Sequence, residues 1–464
     1  MKRKNDAPSV HITSLGCPKN LVDTEAAAAS LLLDGFPFAN DPEDADVMFI
    51  STCAFIEPAR DETRAEIENA VEWKTRRPGR RIVVAGCLVQ WDSDGAFRKN
   101  FPEVDAWLPV DDIPRLAERL RAVSAEKTAD AGRVFPPPAS IVGLDTPRLQ
   151  LTPAHFAYLK ISDGCANNCA YCAIPSIRGV PRHRSIASLR EETANLVGNG
   201  AAEIILAAQD TTVYRCPETG GRLPELVRAL DSIDGEFAIR LLYAHPAGLT
   251  DEIAALFADS ARLLPYIDLP LQHAADGVLR AMNRKIDNRG IRAAIGKLRS
   301  ANPEIAIRTT FITGFPGETG DDFKLLLDFL REMEFDRVGV FSYVREPGTP
   351  AADMPGQIPA ETAEERRARL MEAQAEISLE KNERLLGKTV EIVVDGFIDG
   401  TTALGRTRLD APDIDNVALL AEAGTFAPGD VVDAVATAAA EYQIEARPEP
   451  RAQVPRRAFS TSRA

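Results

Sequence analysis

Short apolar runs rich in Val and Ile alternate with longer stretches of helical periodicity over the N-terminal quarter of the chain. Such runs, bounded by turn residues, are typical of buried strands, and they predict strands at residues 10–14, 46–51 and 81–85. Strands that alternate with helices need crossover connections, which produce a parallel sheet. We therefore expect an N-terminal parallel-sheet α/β domain at residues 8–120, followed by a proline-rich linker that begins near Phe135.

The same alternation resumes over a longer span, which predicts a second α/β domain at residues 151–383. Six strand–helix units indicate a partial (βα)6 TIM-like barrel, whose functional groups lie at the C-terminal ends of the strands. A charged helical run that starts at residue 360 is expected to end at Gly387. The six predicted strands cover residues 157–161, 203–207, 238–242, 266–269, 306–312 and 337–341.

Beyond Gly387 the pattern changes to short Val/Ile strands separated by Gly and Asp turns. Many short strands at regular spacing predict a small all-β barrel at residues 385–450, after which an arginine-rich tail is expected to be mobile. The five predicted strands cover residues 389–394, 400–406, 417–420, 430–436 and 441–446.

Composition and charge narrow the class of protein. The 464 residues are 45% apolar and 27% charged, and none of their apolar runs reaches the roughly 18 residues of a membrane span. A charged N-terminus without a following apolar core favours a cytoplasmic location with no membrane partner. With 54 basic and 69 acidic residues, the net charge of −15 disfavours non-specific binding of nucleic acid and favours a basic partner.

An odd number of cysteines, seven, favours metal ligands or reactive thiols over disulfides. Cys165, Cys169 and Cys172 form a Cys-x3-Cys-x2-Cys run directly after the first strand of the second domain. Thiolates are soft ligands that suit iron–sulfur clusters, and three ligands for four irons leave one iron open to a small molecule. The alternatives are a zinc site completed by a distant residue, or three unrelated thiols. Cys216 has no partner pattern and is interpreted as a loop thiol.

Three further cysteines each follow a predicted strand of the N-terminal domain: Cys17, Cys53 and Cys87. Parallel strands bring their C-terminal ends to one edge of the sheet, so these thiols are expected to converge there. Gly16 and Gly86 precede two of them and are expected to let the backbone approach a bulky inorganic group. The alternative is that all three are ordinary buried cysteines.

The Cys165–Cys172 spacing resembles the signature of the radical S-adenosylmethionine enzymes over residues 151–383. This resemblance implies a 4Fe-4S cluster whose open iron binds S-adenosylmethionine, and a one-electron reductant that drives its cleavage to a 5′-deoxyadenosyl radical. Residues 14–20, 52–56 and 85–88, which contain the other three cysteines, look like the N-terminal domain of the methylthiotransferases of this superfamily. The predicted C-terminal barrel is similar to their TRAM domain.

Within that family, three short motifs look like the RimO type, which modifies a protein, and not the tRNA-modifying MiaB type. They are Cys-Pro-Lys-Asn at residues 17–20, Gln-Asp-Thr at 209–211 and Leu-Pro-Leu-Gln-His-Ala at 269–274. The RimO type implies transfer of a methylthio group to the β-carbon of an aspartate in ribosomal protein S-twelve of the small subunit. The C-terminal barrel agrees, because residues 388–447 carry 4 basic and 11 acidic residues, which would repel phosphate and attract a basic protein. The alternative is a merely solvated acidic surface.

The resemblance also implies a ligand set and a cofactor pocket. Two 4Fe-4S clusters are implied, one at each set of three cysteines, with the N-terminal cluster delivering sulfur and the other generating the radical. Tyr171 is placed near the adenine, while Gln209 and Asp210 are candidates for the methionine amino group or the ribose. Gly314 and Gly317 would let the adenine approach the backbone. The alternatives are a core tyrosine and ordinary turn chemistry.

His273 is expected to be a neutral, hydrogen-bonded histidine, and no general acid or base is assigned because the implied chemistry is radical. Two other functions stay open: methylthiolation of a tRNA adenosine, and a non-catalytic iron–sulfur module that binds ribosomes. The expected partners are ribosomal protein S-twelve, free or in the small subunit, and a one-electron reductant, with no stable binding of tRNA.

Overall fold

A computed structural model describes residues 7–123, 135–142, 146–449 and 456–459. The chain divides into two compact units, which are described separately. The first comprises Met1–Leu151, Ser162–Asn168 and Cys172–Arg184, and the second comprises Thr152–Ile161, Cys169–Tyr171 and Ser185–Ala464.

The first unit is built on a four-stranded parallel sheet whose strands follow one another in chain order. All six residues of its second strand are buried, as expected for a strand covered on both faces. The three predicted strands are confirmed, whereas the fourth is only three residues long and was not predicted. The strands are β1 (Val10–Ser14), β2 (Val47–Thr52), β3 (Arg81–Gly86) and β4 (Ala106–Leu108), and the helices are α1 (Pro18–Leu33), α2 (Glu57–Thr75), α3 (Cys87–Trp91) and α4 (Leu116–Val123).

The central part of the chain carries a six-stranded parallel sheet in the second unit. Its strands are ordered β12-β11-β10-β9-β8-β5, which confirms the partial (βα)6 barrel. A short antiparallel pair, β6 with β7, and the short helix at Ile174–Arg178 belong to the first unit. The strands are β5 (Phe156–Lys160), β6 (Ser162–Asp163), β7 (Arg182–His183), β8 (Glu203–Ala207), β9 (Ala238–Leu241), β10 (Leu263–Asp268), β11 (Ala306–Thr313) and β12 (Arg337–Ser342).

The helices of this region pack an apolar face against the sheet, and together they enclose the largest hydrophobic core of the molecule's described part. The charged run from residue 360 forms the longest helix and ends before Gly387, as predicted. The helix of the first unit is α5 (Ile174–Arg178), and the helices that pack against the six-stranded sheet are α6 (Ile186–Gly198), α7 (Leu223–Asp231), α8 (Asp251–Asp259), α9 (Asp276–Ala281), α10 (Asn288–Ala301), α11 (Gly320–Met333) and α12 (Ala360–Glu383).

The C-terminal strands close into a five-stranded barrel in the order β13-β14-β15-β17-β16, which confirms the small all-β domain. The tail was expected to be mobile, but the Arg456 backbone pairs with Val431 through hydrogen bonds in both directions. Residues 450–455 lie outside the described part. No helix of the described residues is long and apolar enough to cross a membrane. The strands are β13 (Thr389–Phe397), β14 (Ala403–Thr407), β15 (Val417–Leu420), β16 (Val431–Ala440) and β17 (Gln443–Pro448).

Candidate functional site

Three thiols of the first unit lie at the C-terminal edge of its sheet. Cys17 precedes α1, Cys53 follows β2, and Cys87 begins α3 directly after β3. The strands are aligned in register up to this edge, where Thr52 lies opposite Gly86. Each of the Cys17 and Cys53 thiols lies within electrostatic range of Cys87. Parallel topology therefore assembles a donor set from three distant parts of the chain, as the sequence predicted.

Both glycines beside these cysteines are required by the packing of the strands themselves. Gly16 has a φ of +92°, and a Cβ added there would lie 2.7 Å from the Cβ of Cys53. Gly86 has a φ of +105°, and its Cβ would lie 2.8 Å from the backbone oxygen of Thr52. The close neighbours are thus protein atoms of the adjacent strand, not the space that an inorganic group would fill.

A buried arginine contacts this thiol set. The Arg178 side chain, on α5, donates from Nε to the Cys87 Sγ at 3.3 Å and from Nη2 to the same sulfur at 3.1 Å. Its Nη1 donates to Asp23 at 2.7 Å and to Asp163 at 3.1 Å. Arg178 and both carboxylates are at most 1% exposed. A cation is therefore fixed against one of the three sulfurs in a water-poor environment.

The three thiols differ in how readily they ionise. Burial acts to raise the pKa of Cys17, but the Lys19 charge, backbone N–H groups at the start of α1 and Arg178 together lower it below its ordinary value. Burial raises the pKa of Cys53. Burial also raises the pKa of Cys87, to about 12, against the opposing effect of Arg178. The thiol at the helix N-terminus is thus the most acidic of the set.

The second cysteine run lies in the loop that follows β6. The Cys165 backbone N–H donates to the Gly179 carbonyl at 3.0 Å, and its sulfur accepts from the Asn167 N–H at 3.5 Å. Gly164 has a φ of +85°, and a Cβ there would lie 2.2 Å from the carbonyl oxygen of Val180. Only glycine fits at this point, so the loop leaves the short antiparallel pair at a fixed position.

A second buried arginine contacts the middle cysteine of this run within the second unit. Arg284 donates from Nη1 to the Cys169 Sγ at 3.4 Å and to the Tyr171 hydroxyl at 3.3 Å, and from Nη2 to the Pro270 carbonyl at 2.5 Å. Backbone hydrogen bonds from Ala170 to the Met282 carbonyl and from Ala351 to the Ala170 carbonyl hold the same segment. The chain direction at Cys169 is therefore fixed from both sides.

Tyr171 packs against an apolar cluster that includes Phe315, a residue of the predicted cofactor turn. Gly314 in this turn has a φ of +73°, and a Cβ there would lie 2.3 Å from the Ala363 Cβ, so packing against α12 requires this glycine. Gly317 has a φ of +82° with no neighbour within 4 Å of an added Cβ. Tyr171 and the 314–317 turn are thus brought together, and only Gly317 borders open space.

Gln209 and Asp210 follow β8. The Asp210 carboxylate accepts from the Thr212 backbone N–H at 3.0 Å and from its hydroxyl at 2.6 Å, an arrangement typical of a turn. The same carboxylate lies within electrostatic range of Arg284, whose pKa it helps to raise. Gln209 is half-buried beside it. Asp210 is thereby linked to the cysteine loop through Arg284.

The surroundings of His273 and of Cys216 indicate structural roles. The Nδ1 of His273 accepts from the Ala275 N–H at 3.0 Å, which confirms a hydrogen-bonded histidine, and burial lowers its pKa to about 4, which favours the neutral form. Its neighbour Glu318 accepts from the Gly314 N–H at 2.7 Å. Cys216 was interpreted as a loop thiol, and its side chain is buried in the large core of the second unit.

The donor chemistry of the two cysteine sets fits iron–sulfur clusters. Thiolates are the usual ligands of such clusters, and a cationic N–H donor beside a ligating sulfur is a common feature around them. Among the described residues, no group of three or more His, Cys, Asp or Glu side chains is arranged to hold a metal ion directly. The fit therefore rests on the nature and neighbours of the thiols.

Sequence reasoning missed the two arginines that touch these sulfurs. Arg178 is 91 residues from Cys87 in the sequence, and Arg284 is 115 residues from Cys169. Neither arginine lies in a local motif, and a buried charged residue is the exception in soluble proteins. Only the three-dimensional arrangement of their partners could have identified them.

Some of the excess acidic residues of the C-terminal barrel form ion pairs within the second unit. Asp410 pairs with Arg337 at 2.5 Å, and Asp415 pairs with Arg308 at 3.3 Å. Both carboxylates are almost fully buried, so they are not available to a basic partner. The charge count alone therefore overstates the attraction of this barrel for a basic protein.

Comparison with protein families finds three domain models in the expected order. The radical SAM superfamily matches residues 159–330, the family described as "Uncharacterized protein family UPF0004" matches residues 9–109, and the TRAM domain matches residues 386–448. Among solved structures, the chain resembles the radical S-adenosylmethionine methyltransferase TsrM from Kitasatospora setae, with a TM-score of 0.56 at 15% identity over 74% of each chain. At that identity the likeness establishes the fold.

Curated relatives are much more similar. The chain is 42% identical to the "Ribosomal protein uS12 methylthiotransferase RimO" of Syntrophus aciditrophicus strain SB, over 94% of this chain and 97% of the relative. It is 40% identical to the protein of the same name from Geobacter sulfurreducens, over 95% and 98%. The expected cofactors, S-adenosylmethionine and two 4Fe-4S clusters, are those of this family. Two thiol sets on a radical SAM and TRAM architecture, together with near-full-length identity, show that the chain is an enzyme of the RimO methylthiotransferase family.

Proposed function

We propose that this chain adds a methylthio group to the β-carbon of an aspartate in ribosomal protein S-twelve. The observation that carries the proposal is the meeting of Cys17, Cys53 and Cys87 at one sheet edge, in a chain 42% identical to a relative named for this activity. The loop cysteines suffice to hold one cluster, so the second thiol set favours a further role. The named activity of the relative indicates that this role is delivery of sulfur.

The metal ligands follow from the two sets. We assign Cys17, Cys53 and Cys87 to the sulfur-delivering cluster, and the loop cysteines to the radical-generating cluster. When bound, these clusters supply the electron for cleavage of S-adenosylmethionine and the iron at which sulfur is held. The protein itself fixes the positions of the thiols, and one cysteine of each set, Cys87 and Cys169, is buried. The loop cysteines are Cys165, Cys169 and Cys172.

The cofactor pocket is assigned to the side chains gathered around the loop in the second unit. Tyr171, held by Arg284, is proposed to pack against the adenine, which suits an aromatic ring with a fixed hydroxyl. Gly317 has open space at its Cβ position and is proposed to admit the adenine, with Gly314 shaping the same turn.

The polar part of the cofactor is assigned to the end of β8. We propose that Gln209 and Asp210 bind the amino group of the methionine moiety or the ribose. Asp210 is already fixed by Thr212, so it would meet the ligand in a preset orientation.

A substrate assay tests the proposal. The reconstituted protein is incubated anaerobically with a low-potential reductant, S-adenosylmethionine and either unmodified S-twelve or hypomodified tRNA, and both substrates are analysed by mass spectrometry. We expect a methylthio mass increase on the protein and none on the tRNA. An increase on the tRNA alone would reverse the assignment, and no cleavage of S-adenosylmethionine would favour a non-catalytic ribosome-binding module.

The remaining assignments concern partners, place and domain limits. We propose a one-electron reductant as a partner, no stable binding of tRNA, and a cytoplasmic location where ribosomal proteins are made. The functional domains are proposed to span residues 8–120, 151–383 and 385–450. The net charge of −15 supports the absence of a general affinity for RNA.

A further inference from the structure

We propose that Arg178 is a positioning residue that raises the reduction potential of the cluster held by Cys17, Cys53 and Cys87. It does so by donating two N–H groups to the Cys87 sulfur. This inference rests on the proposed function, which places a cluster at those thiols. It assigns a role to a side chain that belongs to none of the motifs that identified the family.

The geometry is specific to one sulfur. Both Nε and Nη2 of Arg178 point at the Cys87 Sγ, at 3.3 and 3.1 Å, so the planar guanidinium presents one edge to it. The remaining nitrogen, Nη1, contacts Asp23 at 2.7 Å and Asp163 at 3.1 Å. These contacts hold the plane of the guanidinium in one orientation, so its distance to the sulfur is preset.

Burial gives this contact its effect. Arg178, Asp23 and Asp163 are at most 1% exposed, so water screens little of the field that the guanidinium exerts on the sulfur. Reduction adds a negative charge to a cluster and its thiolates, and a cation that donates hydrogen bonds to a ligating sulfur stabilises that form. Arg178 therefore shifts the potential upward. Asp23 opposes this shift, because its negative charge offsets part of the arginine charge.

The contact also joins the two cysteine sets along the chain. Asp163 lies two residues before Cys165, and Arg178 lies six residues after Cys172. Both flanks of the radical loop thus meet at Arg178, which contacts Cys87 within the first unit. The arginine that adjusts one cluster is supplied by the segment that carries the other.

The experiment measures the reduction potential of the N-terminal cluster directly. Full-length chain with Cys165, Cys169 and Cys172 replaced by Ala is reconstituted with iron and sulfide, and the remaining cluster is titrated by electron paramagnetic resonance at set potentials. In this background Arg178→Met is expected to shift the midpoint potential to more negative values. Arg178→Lys keeps the charge but not the paired donors, and is expected to give a smaller negative shift.

Variants that remove a negative charge instead of a positive one distinguish this role from a merely structural one. Asp23→Asn removes the offsetting charge and is expected to shift the midpoint potential to more positive values. Arg80→Met, at a buried arginine of the same unit that directly precedes β3 and so lies at the opposite end of that strand from Cys87, is expected to leave it unchanged. The double variant Arg178→Met with Asp23→Asn removes one positive and one negative group, so it is expected to fold. Because it still lacks the N–H donors to the Cys87 sulfur, its midpoint potential is expected to be more negative than that of the background variant.

Each outcome decides between the two claims. If the background variant binds no iron, the proposed function fails at the N-terminal site. If it binds a cluster whose potential stays the same in Arg178→Met and in the double variant, the role of Arg178 is wrong while the site stands. A shift of Asp23→Asn in the same direction as Arg178→Met would show general distortion, and would also overturn the role.

Discussion

The two cysteine sets are assembled in opposite ways. Cys17, Cys53 and Cys87 come from three strand ends and meet only because the strands are parallel and in register. Cys165 and Cys169 lie in one short loop, where spacing along the chain already brings thiols near one another. The first set therefore depends on the packing of a whole sheet. The second depends on a local turn.

Their electrostatic environments differ as well. The Cys87 sulfur accepts two N–H groups from Arg178, which is itself held by two buried carboxylates. The Cys169 sulfur accepts one, at 3.4 Å, from Arg284, which is held by a carbonyl and a phenol. A cation that is hydrogen-bonded to two carboxylates acts differently from one whose other hydrogen-bond partners are a carbonyl and a phenol, so the two sites are suited to different potentials.

Removal of one thiol from each set is expected to give the largest difference in activity between the two sets. Cys87→Ala should reduce methylthiolation by more than about a hundredfold while leaving cleavage of S-adenosylmethionine, since even changes around ligands cost about 10–100-fold. Cys169→Ala should abolish both activities. Product analysis for methylthiolated protein and 5′-deoxyadenosine measures the two in one reaction.

Cys216→Ala is the matched control, because this cysteine is buried but belongs to neither set. It should change neither product. Loss of cofactor cleavage in a folded Cys87→Ala protein would contradict separate roles for the two sets.

Glycine substitutions test how strongly the first set depends on the sheet. Gly16→Ala combines a left-handed φ with a Cβ placed 2.7 Å from the Cys53 Cβ, and should cost about 2–5 kcal/mol of unfolding free energy. Gly317→Ala has a similar φ but no neighbour within 4 Å, and should cost only about 1–2 kcal/mol. Thermal denaturation compares them.

Iron content is a second measure of how strongly the N-terminal set depends on the sheet. Gly16→Ala should lower the iron bound at the N-terminal set, whereas Gly317→Ala should leave iron content unchanged. Equal stability losses in the two variants would mean that the contact with Cys53 is relaxed without cost.

Acid should lower the free energy of unfolding of the second unit, because two buried histidines there bind protons only when the chain unfolds. Burial lowers the pKa of His273 to about 4 and that of His245 to about 3, from an ordinary value near 6.5. The unfolded chain therefore binds protons that the folded chain does not as the pH falls from about 6.5 towards 4. Acidification from pH 7 to pH 5 should cost about 2 kcal/mol for each histidine.

His273→Asn, which stays neutral, should reduce the drop in Tm between pH 7 and pH 5. The same change at His11, a half-exposed position of β1, is the matched control. A full-sized drop in His273→Asn would show that His273 accepts a proton in the folded protein at little cost.

Much of the fold could be predicted because it is encoded locally. The strands at Val10–Ser14 and Glu203–Ala207 match their predicted limits, since apolar runs bounded by turn residues determine them. The three-residue strand β4 and the β6–β7 pair were missed, because such short elements leave no periodic signal. The cysteine ligands were visible as a motif or as strand ends, whereas Arg178 and Arg284 depend on partners distant in sequence.

The charge of the C-terminal barrel shows a different limit of sequence reasoning. A residue count treats each carboxylate as free, but Asp410 and Asp415 are buried in ion pairs with Arg337 and Arg308. These ion pairs join the barrel to the parallel sheet of the same unit. Only the carboxylates that stay exposed could attract a basic partner.

Iron and sulfide analysis of three reconstituted proteins distinguishes two clusters per chain from one: the chain as it stands, the chain with the three N-terminal cysteines replaced by Ala, and the chain with the three loop cysteines replaced by Ala. We expect about eight irons per chain in the first and about four in each of the others. About four irons in the unaltered chain, or no loss on removal of Cys17, Cys53 and Cys87, would contradict two clusters per chain.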